Sequence, residues 1–217
     1  PVTLEILDGD GELVRRYASD DPPEPPLEGQ NVPDYWPRPW QPLRADAGMH
    51  RFVWDVRYAR PDVLRFGYPI SAIPHYTPAE PRGPVVLPGT YTVRLTVDGQ
   101  LYEQPLTVKM DPRVTTSPAE IARAHELSMR LYRAIGSSFA AMEQVQAFRA
   151  DPANAARERD AAQLEAAFRG LNGTLGGLFR NVDGVDAGPT SQTVAAAGDA
   201  LRALDEAFAR WRALSGQ

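Results

Sequence analysis

The sequence predicts an α+β chain of two domains: an Ig-like antiparallel β-sandwich over residues 1–112, then an up-down-up three-helix bundle over residues 113–217. Three observations carry this expectation. In 86–99, Tyr91, Val93, Leu95 and Val97 alternate with Thr92, Arg94 and Thr96, and Asp98-Gly99 follows as a hairpin turn. That is the period-two pattern of a half-buried antiparallel strand. The composition then changes near Asp111-Pro112: most of the 21 prolines lie before it, and Ala, Arg and Leu at helical spacing lie after it. Finally, Leu164, Phe168, Leu171, Leu175 and Leu178 are spaced four, three, four and three residues apart, as in the seam of a helix packed in a bundle.

The elements follow in chain order. Val2, Leu4 and Ile6 alternate with Thr3 and Glu5; Asp8-Gly9-Asp10-Gly11 makes a tight turn, and 13–17 returns as the second strand. A proline-rich, aromatic segment occupies 20–44. The next strand is expected over 50–58, with Phe52, Trp54 and Val56 on one face and Arg51, Asp55 and Arg57 on the other. On that register Trp54 lies buried between two sheets among Phe52, Val56, Tyr91, Val93 and Leu95. A second proline-rich insertion covers 61–88, and 101–110 forms the last strand. In the second half, Ser117-Pro118-Ala119-Glu120 is a capping box with proline at the first helical position. Ile121, Ser128, Leu131, Ile135, Phe139 and Met142 mark one stripe of the first helix. Asp151-Pro152 opens the second. The third carries Val194, Ala197, Leu201, Leu204, Phe208 and Trp211.

Composition narrows the function. The chain has 217 residues, a formal charge of −5 and 43% hydrophobic residues, enough for real cores. No basic patch stands out, which argues against nucleic acid. With no cysteine there is no disulfide framework, thiol nucleophile or thiolate metal site. No apolar run approaches the ~20 residues of a membrane span. The chain begins Pro1-Val2-Thr3 without an initiator Met and without a signal peptide before the first strand. A fragment of a longer protein is the expectation.

Two resemblances add to this reading. Gly48-Met49-His50-Arg51-Phe52-Val53-Trp54-Asp55, with the later Pro88-Gly89-Thr90-Tyr91-Thr92-Val93-Arg94-Leu95, resembles the Ig-like domain of flagellar hook-capping proteins. Over nearly the whole chain, the 52–58 segment, 88–99, the run from Gln104 to Met110-Asp111-Pro112-Arg113 and the Ala-rich helices are similar to the C-terminal region of large bacterial sortilin-like or BNR-repeat proteins. These are often labelled glycosyl hydrolases. That resemblance implies a β-propeller upstream as partner and an extracytoplasmic location, periplasmic or secreted. It assigns no catalytic residue here, because the chain holds no propeller repeat.

Candidate sites are few. Tyr35-Trp36-Pro37-Arg38-Pro39-Trp40 is the best binding candidate, with Tyr35, Trp36 and Trp40 as ligand-binding residues: aromatic rings on a proline-stiffened backbone stack on sugars or pack a partner. The competing reading is a loop that covers the sandwich edge. Asp8-Gly9-Asp10-Gly11-Glu12 looks like the start of a calcium loop but reads better as a hairpin, and Asp183-Gly184-Val185-Asp186 reads as a helix-joining loop. His50, His75 and His125 show no ligand spacing. Ser137-Ser138 lies inside a helix and not at a nucleophile elbow. Asp55 is the only acid in a strong motif. No cofactor, metal or catalytic residue is expected. The leading expectation is a non-catalytic accessory fragment that docks a propeller; a carbohydrate-binding module comes second and an independent hydrolase last.

Overall fold

The computed structural model describes residues 1–23, 30–38 and 41–216. The chain is α+β: a four-stranded antiparallel sheet followed by three helices. It divides into two compact units, Pro1–Arg60 with Phe66–Thr115, and Thr116–Gln217 with Pro61–Arg65. The five-residue strap at 61–65 therefore belongs to the helical unit although it lies within the proline-rich insertion.

In the sheet unit, β1 (Val2–Leu7), β2 (Leu13–Ala18), β3 (Gly89–Val97) and β4 (Gln100–Val108) run in the order β2-β1-β3-β4. Pairing Leu4 with Leu95 and Ile6 with Val93 puts the alternating apolar residues of β1 and β3 on one face. Tyr91 opposite Leu106 extends that face into β4. Ile6, Val14, Val86 and Tyr91 form the buried core, with Leu4, Trp54, Tyr58, Val93, Leu106 and Val108 packed against it. The other face carries ions: Arg94 Nε donates to Glu103 Oε1 at 2.8 Å, and Arg94 Nη1 lies 3.8 Å from Glu5 Oε2. Asp98 and Gly99 take φ of 49° and 83°, the left-handed pair a two-residue hairpin requires. Pro105 sits in β4, at the sheet edge, where a missing N–H is tolerated.

The strand expected over 50–58 does not form. Residues 51–55 carry no regular structure, and only an isolated bridge joins Arg57 to Val85. The backbone pairs through two bonds, Tyr58 N–H to Pro84 O at 3.0 Å and Val86 N–H to Val56 O at 2.9 Å. Two causes stop it there. Val56 has φ of 53°, which breaks the extended run. Pro84 and Pro88 offer no amide to lengthen the ladder. The expected register fails with it: Phe52 and Val56 are exposed, Leu95 lies outside the core cluster, and Trp54 is half-buried. Trp54 still meets Tyr91 edge-on at 5.7 Å, while Phe52 packs on Tyr17 at 4.6 Å.

In the helical unit, α1 (Pro118–Ala150) starts at the expected capping box: Ser117 Oγ accepts from Glu120 N–H at 3.2 Å and Ser117 N–H donates to Glu120 Oε2 at 3.3 Å. Asp151-Pro152 opens a 3-10 turn, Pro152–Arg157, and α2 (Glu158–Val182) follows; α3 is Ser191–Ser215. The expected α2 seam and most of the α3 stripe enter one core: Leu164, Phe168, Leu175 and Leu204 are buried, with Leu171, Leu178, Leu201 and Phe208 packed against them, while Val194, near the start of α3, is exposed. Phe148 meets Trp211 edge-on at 5.3 Å, and Thr116 Oγ1 donates to Asp186 O.

Candidate functional site

The two proline-rich insertions of the sheet unit are tied to each other. Asn31 holds Tyr68 by both backbone groups: Nδ2 donates to Tyr68 O and Oδ1 accepts from Tyr68 N–H, each at 2.8 Å. Gly67 and Glu80 exchange both backbone bonds at 2.9 and 2.8 Å, closing the base of the second loop. Turns at 69–72 and 73–77 shape its tip, the latter with Thr77 Oγ1 accepting from Ile73 N–H at 2.9 Å.

His75 is the brace between the loops. Its N–H donates to Trp36 O at 2.8 Å, and its Nε2 lies 2.9 Å from Tyr35 O. This double contact comes with a φ of 66°, a left-handed backbone that a histidine adopts at some cost. The result is a stiff pair of loops that carries apolar side chains outward. Tyr35 is 72% exposed, Tyr76 79%, and Ile70 and Ile73 are also exposed. Arg38 sits 6.0 Å over the Tyr76 ring.

Of the expected ligand-binding residues, Tyr35 is open and Trp36 is half-buried, with its amide held by Pro33 O at 2.9 Å. Trp40 lies outside the described residues. The sequence pattern missed Ile70, Ile73, His75 and Tyr76 as neighbours of this segment. Its one visible signal was an apolar and aromatic run inside a proline-rich loop, where core packing gives it no role.

The remaining candidates carry structural work. Asp8 Oδ1 accepts from Asp10 N–H at 3.0 Å and Glu12 N–H at 2.9 Å, so the carboxylate shapes the hairpin. His50 Nε2 lies 2.7 Å from Asp46 O. Ser138 Oγ donates to Ile135 O at 2.8 Å within its own helix, and Ser128 Oγ donates to Asp183 Oδ1 at 3.3 Å. Asp111 forks onto Arg113, which pulls the carboxyl below its ordinary range, so the Met-Asp-Pro-Arg junction is a local clamp. Burial raises the Tyr17 phenol against the lowering field of Arg15, and Asp55, itself exposed, adds to the rise.

Asn172 is a polar residue beside the α2 seam, next to Leu171, and it is buried. Its Nδ2 donates to Ile135 O at 3.0 Å and to Ser138 Oγ at 2.9 Å.

No helix among the described residues is long and apolar enough to cross a membrane. No protein-family model, curated protein or solved structure matches this chain.

Proposed function

We propose that this chain is a non-catalytic accessory module of a larger extracytoplasmic protein, and that it docks a β-propeller domain of that protein through its braced loops. The observation that carries this reading is the outward display of Tyr35, Tyr76, Ile70 and Ile73 on loops fixed by His75 and Asn31. Exposed apolar side chains on a stiff frame bind with little ordering entropy, which suits a docking surface. The finer architecture belongs to the same proposal. Trp54, Tyr58 and Val86 act as an irregular second layer of an Ig-like sandwich. An up-down-up course of the helices is supported by Phe148 meeting Trp211 and by Thr116 meeting Asp186, one contact near each end of α1.

The test is titration of this chain with the propeller domain of its own reading frame. Binding should weaken at least about tenfold in a Tyr35→Ala/Tyr76→Ala double variant, the loss of two exposed aromatic anchors. A reading frame without a propeller, or binding indifferent to both substitutions, overturns docking. Saturable oligosaccharide binding lost in Tyr35→Ala or Trp36→Ala replaces it with a carbohydrate-binding module. Turnover of a glycoside or ester that disappears on mutating a named acid replaces both with a hydrolase.

A further inference from the structure

The strap at 61–65 joins the helical unit as irregular chain. The buried apolar residues of the helical core cluster all lie on helices; the half-buried Val63 and Leu64 pack against it, as Leu171 and Phe208 do, and Pro61 at the start of the strap is buried. The strap has no regular secondary structure, and its Asp62 and Arg65 are exposed on either side of the half-buried Val63 and Leu64. Its backbone is held by a helix side chain: Leu64 N–H donates to Asn172 Oδ1 at 3.3 Å.

Asn172 is set up to make that contact. Ser138 Oγ gives its only proton to Ile135 O at 2.8 Å, so toward Asn172 it is an acceptor. The nitrogen of Asn172 must therefore face Ser138 and Ile135, which leaves Oδ1 turned toward the strap. The acceptor is held in place by α1 independently of the segment it receives. A fixed acceptor beside an apolar surface is the chemistry that recognises an extended peptide: one backbone amide for position and two adjacent apolar side chains for affinity.

We propose that the face of α1 and α2 around Asn172 is a peptide-docking site, and that the chain's own 61–65 segment is its ligand, held in cis and removable without unfolding the helices. Covalent linkage supplies a high effective concentration, so a weak contact stays filled.

The probe is a fluorescent synthetic peptide of residues 59–66, titrated into the full chain. A Val63→Asp/Leu64→Asp variant vacates the site and should bind the peptide saturably, while the unaltered chain, filled in cis, should bind about tenfold more weakly or worse. A peptide carrying the same two aspartates should not bind. Adding Asn172→Ala to the vacated chain should weaken binding about tenfold, the value of one buried hydrogen bond. If the vacated chain keeps its helical circular dichroism and cooperative melting yet binds no peptide, the site does not exist. If the aspartates unfold the helices, the strap is core and the proposal falls. Hydrogen exchange on the unaltered chain decides independently: the Leu64 amide should exchange faster than the central amides of α1 and α2, and exchange only through global unfolding overturns a removable ligand.

Discussion

The two units of this chain solve the same problem with opposite means. Among the described residues the helical core holds nineteen buried apolar side chains and the sheet core four. Helices bring their own hydrogen bonds, so an apolar stripe is free to pack wherever it meets another. A sheet must find a second layer. Here the sheet's apolar face is met by irregular chain around Trp54, Tyr58 and Val86, tied by two backbone bonds. One unit draws its stability from repetition, the other from a few individual contacts.

That contrast is breakable, and the largest effect tests it first. Phe168→Ala empties a fully buried site and should destabilise the helical unit by about 3–5 kcal/mol. Trp54→Ala removes a larger side chain but a half-buried one, with an Nε1 bond to Arg57 O at 3.0 Å, and should cost about 2 kcal/mol. Urea unfolding monitored by circular dichroism measures both. If Trp54→Ala costs as much as Phe168→Ala, the second layer is as tightly built as the helical core and the contrast is wrong.

Gly83→Ala sharpens it. A Cβ at this position would lie 2.1 Å from Tyr58 O and 2.3 Å from Ala59 O, both backbone atoms that cannot turn aside. Overpacking of this kind should cost about 1–3 kcal/mol. The damage should be local: the amides of Tyr58 and Val86 should lose exchange protection while those of β1 and β3 keep theirs. Unchanged protection at both would mean that the second layer is not held by this close approach.

Which parts were legible in the sequence follows from the same contrast. The capping box at Ser117 and the seam through Leu164, Phe168 and Leu175 are local patterns, and they form as read. The strands of β1 through β4 were legible because each finds a full-length partner. The 50–58 segment shows an equally clear alternation, yet alternation specifies only a face. A strand also needs a neighbour with free amides, and Pro84 and Pro88 deny it one. Long-range pairs were out of reach for the same reason. Nothing local links His75 to Tyr35, or Leu64 to Asn172 across 108 positions.

The pH dependence should separate the units as well. Burial, helped by the fields of Tyr58 and Asp8, pushes the Tyr91 phenol up to about 12, and its hydroxyl donates to Leu87 O at 2.6 Å. A phenol whose folded pKa exceeds its unfolded value of 10.0 holds its proton more tightly when folded. The stabilisation is complete below about pH 10 and is lost as pH rises toward about 12. Ultraviolet titration should show late tyrosine ionisation from Tyr91 and from Tyr17, whose phenol burial also raises, together with loss of sheet structure. Tyr91→Phe should remove one late-ionising group. A titration in which all tyrosines ionise together near pH 10 would place Tyr91 in water.

The smallest expected effect is at the start of α1, where the capping box isolates a local bond from the packing behind it. Ser117→Ala removes the hydroxyl that accepts from Glu120 N–H and should cost about 1 kcal/mol. The Ser117 hydroxyl and amide in turn hold the Glu120 carboxyl below its ordinary pKa, with Arg123 adding to the effect. A carboxyl depressed in the folded state stabilises above its unfolded pKa and loses that contribution as pH falls through the folded value. The difference between the unaltered chain and Glu120→Gln should therefore be greatest near neutral pH and shrink in acid. Ser117→Ala should reduce this pH dependence, because it removes one of the bonds that depress Glu120. Melting curves across that range, on the single variants and the double, measure the coupling. If the two substitutions add without interaction, Ser117 and Glu120 act separately and the reciprocal box does not form in solution.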